Sequence, residues 1–127
     1  MTVERYGSGG PYEEVYGYSR VVKAGPWLFT AGCTSIVDGV VQHVGDVGAQ
    51  ARTAFGTALS ALEEAGAPIG TVVRTRMFLA RGADVDAVGR VHGEIFGDVK
   101  PTSSLYLIAG MVVPEILIEV EVEAYVP

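Results

Sequence analysis

Two segments of this sequence have the spacing of helices with a single apolar side, and this spacing restricts the folds open to the chain. In residues 46–65, apolar side chains recur every three or four positions, with Asp46 placed to cap the start and Gly66 to stop the end. A second pattern of this kind opens at Asp84 and ends near Gly97. Because each helix has one apolar side, each is expected to lie on a sheet.

The remaining sequence is typical of β-strands. Segments rich in β-branched and aromatic residues predict strands over residues 18–22, 27–37, 40–44, 72–79, 104–112 and 116–126. The dipeptide Asp38-Gly39 predicts a tight hairpin turn between the second and third of these strands. The predicted order is β-β-β-α-β-α-β-β. This order indicates one α+β domain over residues 1–127, a mixed sheet with both helices on one face.

One predicted strand is apolar on both of its sides. In residues 104–112, Leu105 and Leu107 point one way, while Tyr106 and Ile108 point the other way. Such a sequence is usual for a strand that is buried on both faces, yet two helices cover only one face of the sheet. We therefore expect other copies of the chain to cover the second face, with any site lying between subunits.

The composition agrees with self-association and disfavours several classes of protein. Of the 127 residues, 49% are hydrophobic and 19% are charged, which is apolar for so small a chain. The apolar stretch at 105–118 is too short to span a bilayer, and the sequence shows no secretory signal. A net charge of -6 disfavours a nucleic-acid-binding surface. A single cysteine, Cys33, suits a reducing cytoplasm.

The last predicted strand carries the clearest candidates for acid–base chemistry. Glu119, Glu121 and Glu123 alternate with apolar residues and therefore share one face. A carboxylate aimed into a cleft between subunits could orient a water molecule or shuttle a proton. Alternatively, these acids could be the solvated charges of an edge strand.

Two arginines share one face of the strand at 72–79. Arg74 and Arg76 alternate with Val73 and Thr75, so the arginines are expected on the face of Val72 and the others on the helix side. The arginines could neutralise the glutamates or bind an anionic substrate. Neutralisation is the preferred interpretation.

His92 and Cys33 lie in apolar surroundings. His92 falls within the apolar stripe of the second helix, where it is either a core histidine bonded to a backbone carbonyl or a substrate contact. No second ligand stands at metal-binding spacing, so no metal site is predicted. Cys33 is either a small core residue or a thiol in need of a basic partner. The GSGG segment near the start is interpreted as a flexible arm.

Five stretches share a characteristic succession of turn, helix, arginine-bearing strand, helix, proline and acidic strand. They read YGYSRVVKAGPWLFTAGCTS, GDVGAQARTAFGTALSALEEAGA, VVRTRMFL, VHGEIFGDVKP and LIEVEVEAY. This succession resembles the Rid family, the YjgF-type reactive intermediate deaminases, over nearly the whole chain. The resemblance implies a chorismate-mutase-like α+β fold and a homotrimer with three intersubunit clefts. It also implies cofactor-free hydrolysis of imines and enamines to ammonia and a 2-oxo acid.

The resemblance also implies roles for individual residues. The glutamate that positions the attacking water falls on Glu119, with Glu121 as the alternative because the acidic repeat permits either register. The arginine that grips a substrate carboxylate is replaced by Ser103. The other cleft residues implied by the resemblance are Tyr18, Ala31, Gly32, Cys33 and Thr34.

The serine at this position changes the expected substrate. Serine cannot supply the bidentate, permanently charged contact that a carboxylate prefers, and each charged hydrogen bond contributes ~1.5–3 kcal/mol. We therefore expect a small imine, enamine or related carbonyl-derived intermediate rather than the usual 2-imino acid. Glu119, Tyr18 and Ser103 are the candidate catalytic residues. The other candidate substrate contacts are Ser104, Leu105, His92, Arg76 and Glu121.

Two other functions stay open. A carboxylate with hydroxyl groups in a dry pocket also suits a tautomerase, cyclase or dehydratase step in a biosynthetic pathway. A non-catalytic trimer that binds a ligand is the other alternative. Arg74, Arg76 or Lys100 could stand in for the missing arginine. In each case we expect a cytoplasmic homotrimer that binds a small molecule, with no metal, cofactor, nucleic-acid or membrane partner.

Overall fold

A six-stranded mixed sheet forms the body of the protein, whose structure, a computed structural model, describes residues 2–127. The strands are β1 Val3–Tyr6, β2 Val21–Ala24, β3 Trp27–Thr30, β4 Ile36–Val37, β5 Val40–Val41, β6 Val72–Ala80, β7 Thr102–Ile108 and β8 Ile118–Tyr125. The helices are α1 Pro11–Tyr16, α2 Val47–Glu64 and α3 Val85–Phe96, with a 3-10 turn at Ile69–Thr71. The sheet order is β1-β2-β3-β8-β6-β7, with β6 and β7 parallel, and β4 and β5 form a separate hairpin. The predicted α+β fold is confirmed.

Both predicted helices are confirmed, together with their N-terminal caps. The Asp46 carboxylate accepts a hydrogen bond from the Ala49 N–H at 3.1 Å, and Asp84 does the same for Ala87 at 3.1 Å. These bonds satisfy backbone donors that the first turn of a helix leaves unpaired. Helix α2 packs on β8 and α3 packs beside α2, so both helices cover the same face of the sheet.

Strand β8 lies in the middle of the sheet, between β3 and β6. Its glutamates alternate with apolar residues, as predicted, and point to the face opposite the helices, here called the open face. The helix-facing residues of β8 are buried: Ile118, Val120, Val122 and Ala124. The interpretation of β8 as an edge strand is wrong, because it has a partner strand on each side.

The N-terminal segment contributes a strand and a short helix that were not predicted. Strand β1 pairs with β2, and α1 opens with Pro11 and stops at Gly17, whose φ is 75°. The Ser8 N–H donates to the Glu13 carboxylate at 3.0 Å, so the GSGG segment is held against α1 rather than being a flexible arm. Proline at the start and glycine at the stop are helix signals. The helix has no buried residue, however, so it left no apolar period to detect.

Several predicted strands are shorter than expected. The strand predicted at 18–22 starts only at Val21, which leaves Tyr18 in the loop after α1. The strand predicted at 27–37 is interrupted after Thr30, because the following segment leaves its regular pairing with β8. The hairpin at Asp38-Gly39 is confirmed, and both residues have the positive φ that its turn requires, 51° and 78°. Strand β7 starts two residues earlier than predicted and ends at Ile108.

A bulge near the start of β6 moves Val72 to the helix side. The register of β6 against β8 shifts between Val72 and Arg74, so Val72 is buried and Val73 is exposed, opposite to the prediction. The alternation holds from Arg74 onwards, with Thr75 on the helix side. An extra residue of this kind cannot be seen in a two-residue period.

Strand β7 lies at one edge of the sheet, next to β6. Tyr106 and Leu107, which point to opposite sides, are 47% and 58% exposed. One chain therefore leaves apolar side chains of β7 uncovered, and their burial by other copies stays a prediction. Within residues 2–127, no helix is both long enough and apolar enough to cross a membrane.

Gln50, fully buried in α2, ties this helix to the segment that enters β8. Its Nε2 donates to the carbonyl oxygens of His43 (3.2 Å) and Glu115 (2.9 Å), and its Oε1 accepts from the Leu117 N–H (2.8 Å). Gln50→Leu removes all three bonds, and each hydrogen bond contributes about 0.5–1.5 kcal/mol to the free energy of unfolding. We expect urea denaturation to show a loss of about 2–4 kcal/mol. Gln42→Leu, at a less buried amide, should cost below about 1 kcal/mol, and equal losses would contradict this assignment.

Candidate functional site

Arginines of β6 neutralise two of the three acids on the open face. The Arg76 Nη1 lies 2.6 Å from a Glu123 carboxylate oxygen and 3.8 Å from one of Glu121. The Arg74 Nε lies 3.8 Å from Glu123. The pairing of β6 with β8 sets these contacts, because it places Arg76 opposite Glu121 and Arg74 opposite Glu123. Both arginines are therefore engaged within the chain.

Glu119 is the acid of β8 that has no arginine or lysine within ion-pair distance among residues 2–127. Phe78, rather than an arginine, stands opposite it on β6. Burial raises the pKa of this half-buried carboxyl group, the neighbouring Glu121 raises it further, and Arg20 offsets part of the rise. A carboxylate with a raised pKa is a stronger base than an ordinary glutamate and accepts a proton more readily.

A bulge after β3 brings the backbone of residues 31–33 close to Glu119. Phe29 pairs with Glu123 and Cys33 pairs with Val120. The four residue steps from Phe29 to Cys33 therefore lie opposite three steps of β8, which defines a bulge. The Thr30 hydroxyl accepts the Val122 N–H at 3.0 Å and replaces the backbone partner that the bulge removes. Two backbone bonds of 2.8 Å between Cys33 and Val120 then close the bulge.

Gly32 lies where this bulge comes nearest to Glu119. A Cβ atom at residue 32 would stand 2.7 Å from the Glu119 Cδ and 2.8 Å from its Oε1. These distances are too short for any side chain, so glycine is required if the carboxylate is to keep its position.

Arg20 also belongs to this cluster, although it was not among the residues predicted from the sequence. Its Nη1 donates to the Gly32 carbonyl oxygen at 2.8 Å and lies 3.4 Å from the Cys33 Sγ. Its positive charge also lowers the pKa of Glu119. No local pattern marks Arg20, because its contacts are with residues 12 and 13 positions later in the chain.

Cys33 is buried within the cluster and is a poor candidate nucleophile. Burial raises the pKa of its thiol, and Arg20 offsets part of that rise. A protonated thiol is a weak nucleophile. The next residue, Thr34, uses its hydroxyl to accept the Ile36 N–H at 3.3 Å. Both residues thus shape the bulge.

An open cavity of about 640 Å³ lies beside the bulge, between the α1 region and β2–β3. Tyr18, Thr30 and Ala31 are among the residues that line it. The structure therefore brings Tyr18 and Ala31 together, whereas Glu119 is not part of this lining. Within residues 2–127, no three His, Cys, Asp or Glu side chains converge so that they could hold a metal ion.

Ser103 lies on the helix side of the sheet, in contact with Thr75. Strand pairing places Ser103 of β7 beside Thr75 of β6. The fully buried Thr75 hydroxyl lies 2.8 Å from the Ser103 Oγ and 2.8 Å from the His92 Nε2. The polar partner of His92 is thus a threonine hydroxyl and not the backbone carbonyl that was expected.

The sheet separates the predicted residues into two groups within one chain. Glu119 lies on the open face and Ser103 on the helix side, so one chain cannot place both on the same small substrate. Ser104 is paired with Arg76 in the β6–β7 ladder and shares the open face. Leu105 returns to the helix side and packs against the core.

Known proteins resemble this chain over most of its length. Residues 12–126 match the family model described as endoribonuclease L-PSP. An uncharacterized protein of Streptomyces coelicolor is 44% identical over 123 residues, which are 97% of this chain and 92% of that protein. The 3-aminoacrylate deaminase RutC of Acinetobacter baylyi is 35% identical over 86 residues, 68% of this chain and 68% of that protein.

A solved structure whose sequence identity to this chain is similar also shares the fold. The crystal structure of a YjgF/YER057c/UK114 family member from Mycobacterium tuberculosis matches with a TM-score of 0.85 and 35% identity. The match covers 98% of this chain and 100% of that chain.

Gly32→Ala should displace the Glu119 carboxylate while the fold is kept. The atoms that a Cβ would strike belong to the end of the Glu119 side chain, and the backbone of residue 32 needs no positive φ. A displaced, better solvated carboxyl group should have a lower pKa than in the wild type, which a ¹³C NMR titration can measure. The unfolding midpoint should fall by less than about 5 °C.

Gly56→Ala provides the matched control, since nothing lies within 4 Å of a Cβ at this helical position. It should leave the pKa of Glu119 unchanged. If Gly32→Ala also left that pKa unchanged, the close approach would not control the carboxylate.

Proposed function

The chain belongs to the endoribonuclease L-PSP family, also called the YjgF or Rid family, and we propose that it hydrolyses a small imine or enamine to a carbonyl compound and ammonia. The observation that carries this proposal is the half-buried Glu119, which has a raised pKa and lies beside Gly32 with no paired cation in the described part of the chain. The relative named 3-aminoacrylate deaminase supports the same reaction class. An RNA substrate is not proposed, because a net charge of -6 opposes binding to a polyanion.

In the proposed reaction, Glu119 acts first as a base and then as an acid. Its carboxylate takes a proton from water while the water oxygen bonds to the carbon of a protonated imine, which gives a neutral carbinolamine. Glu119 returns this proton to the nitrogen, and the C–N bond then breaks to release ammonia. The carbonyl forms as the hydroxyl proton passes back to Glu119 and on to ammonia. An enamine enters the same route once its carbon has been protonated.

The positions of Glu119 and Ser103 support a site between subunits. The open face has no long helix over it and exposes aromatic residues such as Trp27 and Phe29, at 43% and 40%. In a homotrimer, the open face of one subunit would meet the β7 edge of the next. Such packing would bury the aromatic residues and bring Ser103 of one copy to Glu119 of another. The proposal therefore includes a homotrimer with three clefts.

The groups near the proposed cleft favour a substrate that is not anchored by a carboxylate. Ser103 is neutral, Arg74 and Arg76 are paired with glutamates, and Arg20 is bonded to the Gly32 carbonyl. A carboxylate prefers a charged partner with several free donors. We therefore propose an imine or enamine with a neutral anchoring group.

Freshly generated 2-aminoacrylamide should release ammonia faster than 2-aminoacrylate, because the two differ only in the amide that replaces the carboxylate. Glu119→Gln should lower kcat by about 10²- to 10⁴-fold, the usual contribution of a general acid–base group. The base must be ionised, so the wild-type rate should fall as the pH drops through the pKa of Glu119, which lies above the ordinary glutamate value. Ammonia release measured across pH checks both expectations.

Glu123→Gln serves as the control, since it removes an acid of the same face that is paired with Arg76. It should keep most of the activity. An unchanged rate in Glu119→Gln would remove Glu119 from the mechanism. A product formed without ammonia would instead favour the tautomerase or cyclase alternative.

A mixture of Glu119→Gln and Ser103→Ala chains should regain activity that neither variant has alone. In a cyclic trimer that contains both variants, about one third of the clefts take an intact Glu119 from one variant and an intact Ser103 from the other. Co-expression with two affinity tags and purification of the mixed assembly allow the measurement. If mixed assemblies were no more active than the average of the parents, the intersubunit site would be refuted.

A further inference from the structure

Thr75, His92 and Ser103 form a hydrogen-bonded chain that leads from the protein interior to the surface. The Thr75 hydroxyl, fully buried, lies 2.8 Å from both the His92 Nε2 and the Ser103 Oγ. Ser103, at the outer end of the chain, is exposed. The neighbouring helix-facing residues of β6, Met77 and Leu79, are apolar. A buried hydroxyl among them costs free energy unless it is bonded, and the chain supplies those bonds.

With the Ser103 Oγ assigned as the acceptor of the Thr75 hydroxyl, the number of hydrogens fixes the direction of the other bond. The Thr75 hydroxyl has one hydrogen, which this assignment gives to Ser103. Thr75 must therefore accept the hydrogen bond that it shares with His92, so the ring hydrogen of His92 is on Nε2. The hydroxyl hydrogen of Ser103 can then be donated to a group that is not part of this series of hydrogen bonds.

The imidazole of His92 is fixed in place and neutral at neutral pH. The ring centroids of Phe55 and Phe96 lie 5.7 Å and 4.7 Å from that of His92. Burial lowers the pKa of His92. The charged residues nearby on the two helices, Arg52 and Glu94, form an ion pair with each other, and the arginines of β6 lie on the opposite face. A neutral imidazole has a single N–H, so donor and acceptor stay the same in each bond of the series.

We propose that His92 and Thr75 are positioning residues that hold the Ser103 hydroxyl as a hydrogen-bond donor to a neutral acceptor on the substrate. This inference rests on the proposed function and specifies its substrate class: imines and enamines anchored by an amide or carbonyl oxygen. Hydrogen bonds in series polarise one another, so Ser103 is a stronger donor than an isolated hydroxyl. A single neutral donor matches one carbonyl oxygen, whereas a carboxylate requires charge.

The kinetic test combines Thr75→Val, which removes the hydroxyl at nearly constant shape, with Ser103→Ala. Thr75→Val should lower kcat/KM for 2-aminoacrylamide about 5- to 10-fold, the contribution of one hydrogen bond, and Thr75→Ser should restore it. In the Ser103→Ala background, Thr75→Val should have no further effect. Thr57→Val, on the exposed side of α2, is the control and should leave the rate unchanged. The same loss in both backgrounds would show that Thr75 acts through packing, which would overturn the inference.

An ¹⁵N NMR measurement on His92 separates this inference from the proposed function, because it needs no turnover. The wild-type ring should show the Nε2–H tautomer, and Thr75→Val should weaken this preference. An Nδ1–H tautomer in a wild-type protein that releases ammonia would overturn the inference alone. A wild-type protein that releases ammonia from neither substrate would overturn the proposed function, and with it the role given to Ser103.

Discussion

Three carboxylates on one side of a single strand repel one another, and the relief of this repulsion shapes the site. Strand β6 places arginines opposite Glu121 and Glu123, which are thereby neutralised at the surface of the sheet. Opposite Glu119 stands Phe78, and within residues 2–127 this acid has no paired cation. Burial raises its pKa, and the like charge of Glu121 raises it further. The other side of β8 is packed against α2, which means that the hydrophobic core fixes where Glu119 stands.

The two bulges in the sheet both affect which charged side chains are paired. The bulge in β6 sets the register that brings Arg74 opposite Glu123. The bulge after β3 carries Gly32 to Glu119 and, with it, the carbonyl group that holds Arg20. Regular strands alone would give a sheet with the same core. The bulges decide which of its charged groups are paired with one another.

The sequence predicts those parts of the fold that depend on local patterns. Helices α2 and α3 have a clear period and aspartate caps, and β8 alternates strictly, so their existence and orientation could be predicted. The resemblance to a family pointed to Glu119 or Glu121, and the structure adds a physical reason to prefer Glu119. The roles of Arg20 and Thr75 could not be predicted, because they depend on contacts between residues far apart in the chain. The bulges could not be predicted either, because an extra residue changes which residues pair across the sheet without changing the composition of the strand.

The pairing of four steps against three after β3 also bears on how this protein can evolve. Loss of one residue between Thr30 and Cys33 would restore a regular ladder, in which a backbone carbonyl could take over the Val122 N–H from the Thr30 hydroxyl. That shorter chain would have a simpler sheet and no backbone pressed against Glu119. A lineage that loses this residue would therefore lose the close approach to Glu119, which the strand pairing itself does not require.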